Sequence, residues 1–171
     1  MNPAVSSSDA APVVSAEQFA FLADLIPQLV WITDPAGFHL YFNQRWTDFT
    51  GYALADSVGP DMWSNLLHPD DRARARQVWG RALATGDDYE IEYRFKSKQG
   101  DYRWFLGQAR PWRDAPGAIA TWFGTCTDIH DQKTTAEQLA SSYADLEAKV
   151  TFRNLELEHQ VQALRQQLAA R

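Results

Sequence analysis

Few residues in this sequence have the types and spacing that do chemistry. The four histidines, His39, His68, His130 and His159, fall in four different predicted elements, none at ligand spacing from another, so they predict no metal site. The single cysteine, Cys126, has no cationic neighbour along the chain, which is the setting of an inert small hydrophobe rather than an activated thiol. Asp70 and Asp71 open a helical pattern, where carboxylates cap backbone N–H groups and suit the helix dipole. No nucleophile comes with a recognisable base, so the pattern predicts no catalytic residue and no enzyme. What remains is non-covalent recognition. Gly107 and Gly124 fall inside two strand patterns, where glycine costs about 0.5–1 kcal/mol relative to alanine. Something therefore approaches the backbone there, either a bound ligand or a ring such as Trp79 or Trp46 from a facing helix.

The elements that must position those glycines can be read in order. Ser15 is an N-cap with Gln18 as its capping-box partner, and Phe19, Leu22, Leu25 and Ile26 recur at helical spacing until Pro27. Residues 29–33 form a β-branched, aromatic strand, 34–37 a Pro-Gly turn, and 38–42 the returning strand. Asn43 caps a short helix with Trp46 and Phe49 on one face, ended by Gly51. Short helices follow through Leu54 and over 62–67. A longer helix then carries Ala75, Val78, Trp79, Ala82 and Leu83 on one side and four arginines largely on the other, ended by Gly86. Tyr89, Ile91, Tyr93 and Phe95 alternate with Glu90, Glu92 and Arg94, the pattern of a half-buried strand. After a turn over 98–101, the strand 102–110 is apolar on both faces at Trp104, Phe105 and Leu106, so its outer face is predicted to be covered. A third antiparallel strand runs from Ala118 to Asp128 and passes, with no Gly or Pro after Gly124, into a long helix.

That last helix carries Leu139, Tyr143, Leu146, Val150, Leu157, Val161, Leu164 and Leu168 at spacings mostly of three and four, with Arg153 at the missing step. This is a heptad seam with one stutter. About 40 residues of helix would run roughly 60 Å and could not bury the stripe alone. The reading it predicts is a parallel two-stranded coiled coil with a second copy; the alternative is folding back onto its own domain.

At 171 residues the chain has room for one ordinary domain and an appendage. A hydrophobic share of 45% and seven tryptophans predict a globular core crowded with rings. A net charge of −6 disfavours nucleic acid and anionic membrane as partners. One cysteine admits no internal disulfide and suits a reducing cytosol, so the expected location is cytoplasmic. No run reaches the roughly 20 apolar residues that span a bilayer, so no membrane partner is expected.

In this order, Trp31 to Gly37, Asn43 through Thr50-Gly51-Tyr52, His68-Pro69-Asp70-Asp71-Arg72, Glu92-Tyr93-Arg94, Gly100 to Trp104, and Gly124 to Ile129 resemble a PAS domain, of the subclass found before bacterial histidine kinases and cyclases. The resemblance covers residues 19–133. It implies an α+β fold with a five-stranded antiparallel sheet in the order 2-1-5-4-3 and helices over one face, and it implies sensing or dimerisation rather than catalysis. The expected division is a disordered leader over 1–14, a cap helix over 15–27, the PAS domain over 28–130 and a signalling helix over 131–171.

Alternation and the family geometry together direct Ile91, Tyr93, Phe95, Phe105, Gly107, Trp122, Gly124 and Cys126 toward the helices, with Trp31, Thr33 and Trp79 beside them, as a candidate pocket for a small-molecule ligand. Haem is disfavoured because the long helix carries no histidine, and a photoactive flavin because residues 53–67 carry no cysteine. The expectation is no cofactor. The resemblance further implies that Asp128, through an ion pair or helix cap, and Ile129, through packing, transmit signals into the exit helix. His130 stands where the family commonly has threonine, a departure from the family pattern at a hydrogen-bonding position. The expected homodimer interface comprises Phe19, Leu22, Trp104 and Leu106, with Leu139, Leu146, Val150, Leu157, Val161, Leu164 and Leu168 on the coiled coil. Neither His130 nor His159 begins a phosphoacceptor pattern, so the chain reads as an input to an output domain or downstream signalling protein. The alternative is a permanent dimerisation module with a filled core.

Overall fold

Ser15 starts the first helix as its sequence predicts. Its Oγ accepts from Gln18 N at 3.1 Å while its own N–H donates to Gln18 Oε1 at 2.9 Å, the reciprocal pair of a capping box. The computed structural model describes residues 14–57 and 62–170, so all of the expected leader except Val14 lies outside the described residues. Helix α1 (Ala16–Leu25) leads to strand β1 (Leu29–Thr33), a turn with Gly37 at positive φ, and strand β2 (His39–Phe42). Asn43 N-caps helix α2 (Gln44–Thr50), but its side chain does not bond to the helix it starts. It is buried, accepts from Val30 N at 3.0 Å, and donates to Ala23 O at 2.9 Å and Gln28 O at 3.0 Å. One side chain thus ties α1, β1 and α2 together, because an amide satisfies three buried backbone groups where a cap satisfies one.

Helices α3 (Leu54–Ser57) and α4 (Met62–Leu66) precede the long helix α5 (Pro69–Thr85). The start of α5 corrects the prediction that Asp70 or Asp71 caps it. His68 is the N-cap, its Nδ1 accepting from Asp70 N at 3.3 Å, and Asp71 is buried against another element. Strands β3 (Tyr89–Lys96), β4 (Tyr102–Arg113) and β5 (Ile119–Asp128) follow as consecutive antiparallel partners, β4 extending beyond the predicted 102–110. The sheet order is β2-β1-β5-β4-β3, the order that the resemblance implies.

The core lies between the inner face of this sheet and the helices. Tyr89, Ile91, Tyr93 and Phe95 from β3, Phe105 and Ala109 from β4, and Trp122 and Cys126 from β5 are buried there, as period-two alternation requires. The helices add Trp46, Trp63, Trp79 and Ala75. β2 breaks the alternation: its register against β1 shifts between Ile32 and Thr33, so Phe42 faces Trp31 while His39 faces Thr33. Both His39 and Phe42 are therefore buried, and Leu40 between them is exposed.

The chain divides into two compact units, one ending at Ile129 and one beginning at His130. The second is helix α6 (His130–Ala169), 40 residues long with none of them buried. Leu139, Leu146, Val150, Leu157, Val161, Leu164 and Leu168 are all exposed. Among the described residues no helix is long and apolar enough to cross a membrane.

Candidate functional site

Between the sheet and the helices a residual cavity of ≈ 20 Å³ is lined by Trp31, His39, Phe42, Trp46, Trp63, Trp79, Tyr89, Tyr93, Phe95 and Cys126. That is room for about one water molecule. Five of the predicted pocket residues line it: Trp31, Trp79, Tyr93, Phe95 and Cys126. Thr33, Ile91, Phe105 and Trp122 are buried but stand outside its wall. His39, Phe42, Trp46, Trp63 and Tyr89 line it without having been placed there from the sequence. The shifted register of β2 hid His39, since strict alternation from an inward Phe42 sends Leu40 in and His39 out; the inward alternation of β3 already included Tyr89.

Gly107 and Gly124 do not open this cavity. A Cβ on Gly124 would lie 2.2 Å from Trp31 Cζ2, and one on Gly107 would lie 2.5 Å from Tyr93 Oη. Each glycine is the seat of a ring from the neighbouring strand, which corrects the expectation of a ligand or of Trp79 or Trp46 at these positions. Trp31 then meets Trp79 edge-on at 5.5 Å, and Trp79 meets Trp122 at 5.3 Å, a packing of ring edges onto faces that fills the volume.

A short polar chain crosses this aromatic core. Tyr93 Oη and Cys126 Sγ lie 3.1 Å apart, Tyr89 hydrogen-bonds Tyr93, and Trp31 hydrogen-bonds the same sulfur. Burial pushes the Cys126 thiol up to about 11, with the bonds from Tyr93 and Trp31 only partly offsetting it. Burial likewise raises both tyrosines, so the cluster is neutral at physiological pH. It can order polar atoms around a small neutral guest. Among the described residues no group of three or more His, Cys, Asp or Glu could hold a metal ion.

The end of β5 is fixed twice. Arg103 Nε donates to Asp128 Oδ2 at 2.7 Å with a second, longer bond at 3.3 Å, and Ile129 N donates to Trp104 O at 2.9 Å. Of the two roles expected for Asp128, the structure has the ion pair. Ile129 is buried, and His130 is the first residue of α6, its carbonyl accepting from Thr134 Oγ1 at 3.0 Å. On the outer sheet face, Trp104 and Leu106 are half-buried, with the Arg94 guanidinium 5.0 Å over the Trp104 ring. Phe19 is half-buried edge-on to Tyr41 and Phe123, whereas Leu22 is exposed beside Phe21 and Leu25.

The profile of the PAS fold matches residues 39–126, more than half of the chain. The chain belongs to the PAS family. An uncharacterized protein of Sinorhizobium fredii, y4lL, is 35% identical over 142 residues, which is 83% of this PAS chain and 17% of that protein. The peroxide stress-activated histidine kinase mak1 of Schizosaccharomyces pombe is 29% identical over 135 residues, 78% of this chain and 8% of that kinase. The chain thus spans less than a fifth of either relative. Among solved structures, a sensory box histidine kinase/response regulator from Burkholderia thailandensis superposes with a TM-score of 0.55 at 27% identity, covering 78% of this chain and 98% of that one. The PAS domain is a sensory module, and the two kinases relate it to the sensor domains of histidine kinases.

Proposed function

We propose that this PAS domain senses a change in its core and passes it through β5 to the start of α6, where two copies pair as a coiled coil and feed an output such as a histidine kinase. One observation carries the reading. β5 holds Trp122 and Cys126 in the core, is fixed to β4 at Asp128 and Ile129, and continues without a break into a helix whose apolar stripe is unburied. A strand packed in the core and pinned at its exit moves as one piece, so a shift at Cys126 is felt at residue 129. A differential of a few kcal/mol between two helix arrangements suffices to switch such a device. The kinase output is supported by the two kinase relatives, and a cytosolic location by the single unpaired thiol.

The second reading, a permanent dimerisation module, is favoured by the filled core: the ≈ 20 Å³ cavity admits nothing larger than a water-sized guest without movement of a ring. Native mass spectrometry with an absorption spectrum of the purified chain separates the two. Mass beyond the dimer, or absorption beyond that of Trp and Tyr, supports a ligand sensor. A bare dimer mass with protein absorption alone supports the module, and a monomer at micromolar concentration contradicts both.

A further inference from the structure

The exit of β5 is held from β4, and β4 at that point is held in turn from α5. Asp71, on the first turn of α5 and nearly excluded from solvent at 8% side-chain exposure, accepts three bonds from one residue of β3. Arg94 N and Nε donate to its Oδ2, each at 2.9 Å, and the guanidinium donates to its Oδ1 at 3.0 Å. His68 N donates to Arg94 O at 2.9 Å, so the loop before α5 clasps the same residue from the other side. With its backbone and side chain both fixed, Arg94 has no freedom over where its guanidinium lies, and it lies 5.0 Å above the Trp104 ring. The Trp104 carbonyl takes the Ile129 N–H at 2.9 Å.

We infer that Asp71 and Arg94 are positioning residues for the exit junction, joining α5 to Ile129 through Trp104 as a second route beside β5. This rests on the reading of the junction as the point of signal transmission. α5 is a single rigid helix, and Trp79, about 12 Å along it from Asp71, lines the core cavity. A guest or a ring movement that tilts α5 therefore reaches Arg94 and the Trp104 carbonyl without passing along β5. An ion pair serving only to attach α5 would need one bond to the guanidinium. This one also binds the backbone of β3 and sets the side chain that covers Trp104.

Amide hydrogen exchange on the full chain tests it. In Asp71→Asn the Ile129 amide is expected to exchange roughly tenfold faster or more, while the Asn43 amide, bonded to Val30 O at 3.0 Å on the far side of the sheet, keeps its rate. Arg94→Lys, which keeps the cation but loses the fork, is expected to give the same selective effect and serves if the Asp71 variant does not fold. An unchanged Ile129 rate, or equal acceleration at Ile129 and Asn43, overturns the inference, the latter because it shows only global loosening. Asp128→Ala keeps the two claims apart. If it accelerates Ile129 while the Asp71 and Arg94 variants do not, the second route alone fails; if it too is silent, the junction reading fails.

Discussion

Trp31 lies on Gly124 so closely that a methyl group there would stand 2.2 Å from its ring. The glycines of β4 and β5 are thus bound to the rings of the adjacent strands. Gly124→Ala is expected to cost about 1–3 kcal/mol by displacing Trp31, read as a lower denaturant midpoint with altered tryptophan emission. Gly80→Ala is the counterpart: on α5, with nothing within 4 Å of the added carbon, it should stabilise by about 0.5–1 kcal/mol.

The Cys126 thiol bears on stability at high pH. Burial lifts it to about 11, above its value in the unfolded chain, so above about pH 8.5 the unfolded state releases a proton that the folded state keeps. Stability should therefore fall as pH rises from about 8.5 toward 11, by up to about 1.4 kcal/mol per pH unit from this group. Cys126→Ala should remove that part of the slope in denaturant titrations across the range. At pH 8 the native thiol should resist a disulfide reagent that reacts promptly once the chain is unfolded.

Asp71 acts at the other end of the scale. Burial alone would raise its carboxyl, but the bonds from the Arg94 side chain and N–H, with the charges of Arg94 and Arg74, hold it below its usual value. The stability it confers is present above about pH 4 and is lost as pH falls through the depressed folded value. Asp71→Asn should cost about 1.5–3 kcal/mol at pH 7, and the penalty should shrink as the medium is acidified and the parent carboxylate takes up its proton.

The seam of α6 makes a prediction about assembly. Leu146 and Leu164 are both exposed in the single chain. Replacing both with glutamine should shift sedimentation toward the monomer and leave the thermal unfolding of the PAS unit unchanged. Unaltered sedimentation would place the pairing surface elsewhere.

Much of the fold was legible because its signals are local. The Ser15 capping box, the alternation of β3 and the left-handed Gly51 and Gly86 all depend on neighbours a few residues apart, and all appear as read. The site was legible only in part, because its decisive contacts are long-range. Nothing in the sequence near Asp71 announces Arg94, so the carboxylate passes for a cap. Asn43 likewise passes for a simple N-cap when its amide serves α1 and β1. The register shift in β2 has no residue signature, and it alone brings His39 into the cavity wall. The glycines did signal a close approach, but which ring arrives is decided by the pairing of β1 with β5 and of β3 with β4.

If the end of β5 governs the helix that follows, hydrogen exchange along α6 in Asp128→Ala reports it most directly. Removing the carboxylate deletes the 2.7 Å bond from Arg103 without touching the core. Exchange is expected to be faster at Ile129 and through the first turns of α6, with β1 and β2 unaffected. Exchange along α6 identical to that of the parent chain would contradict it.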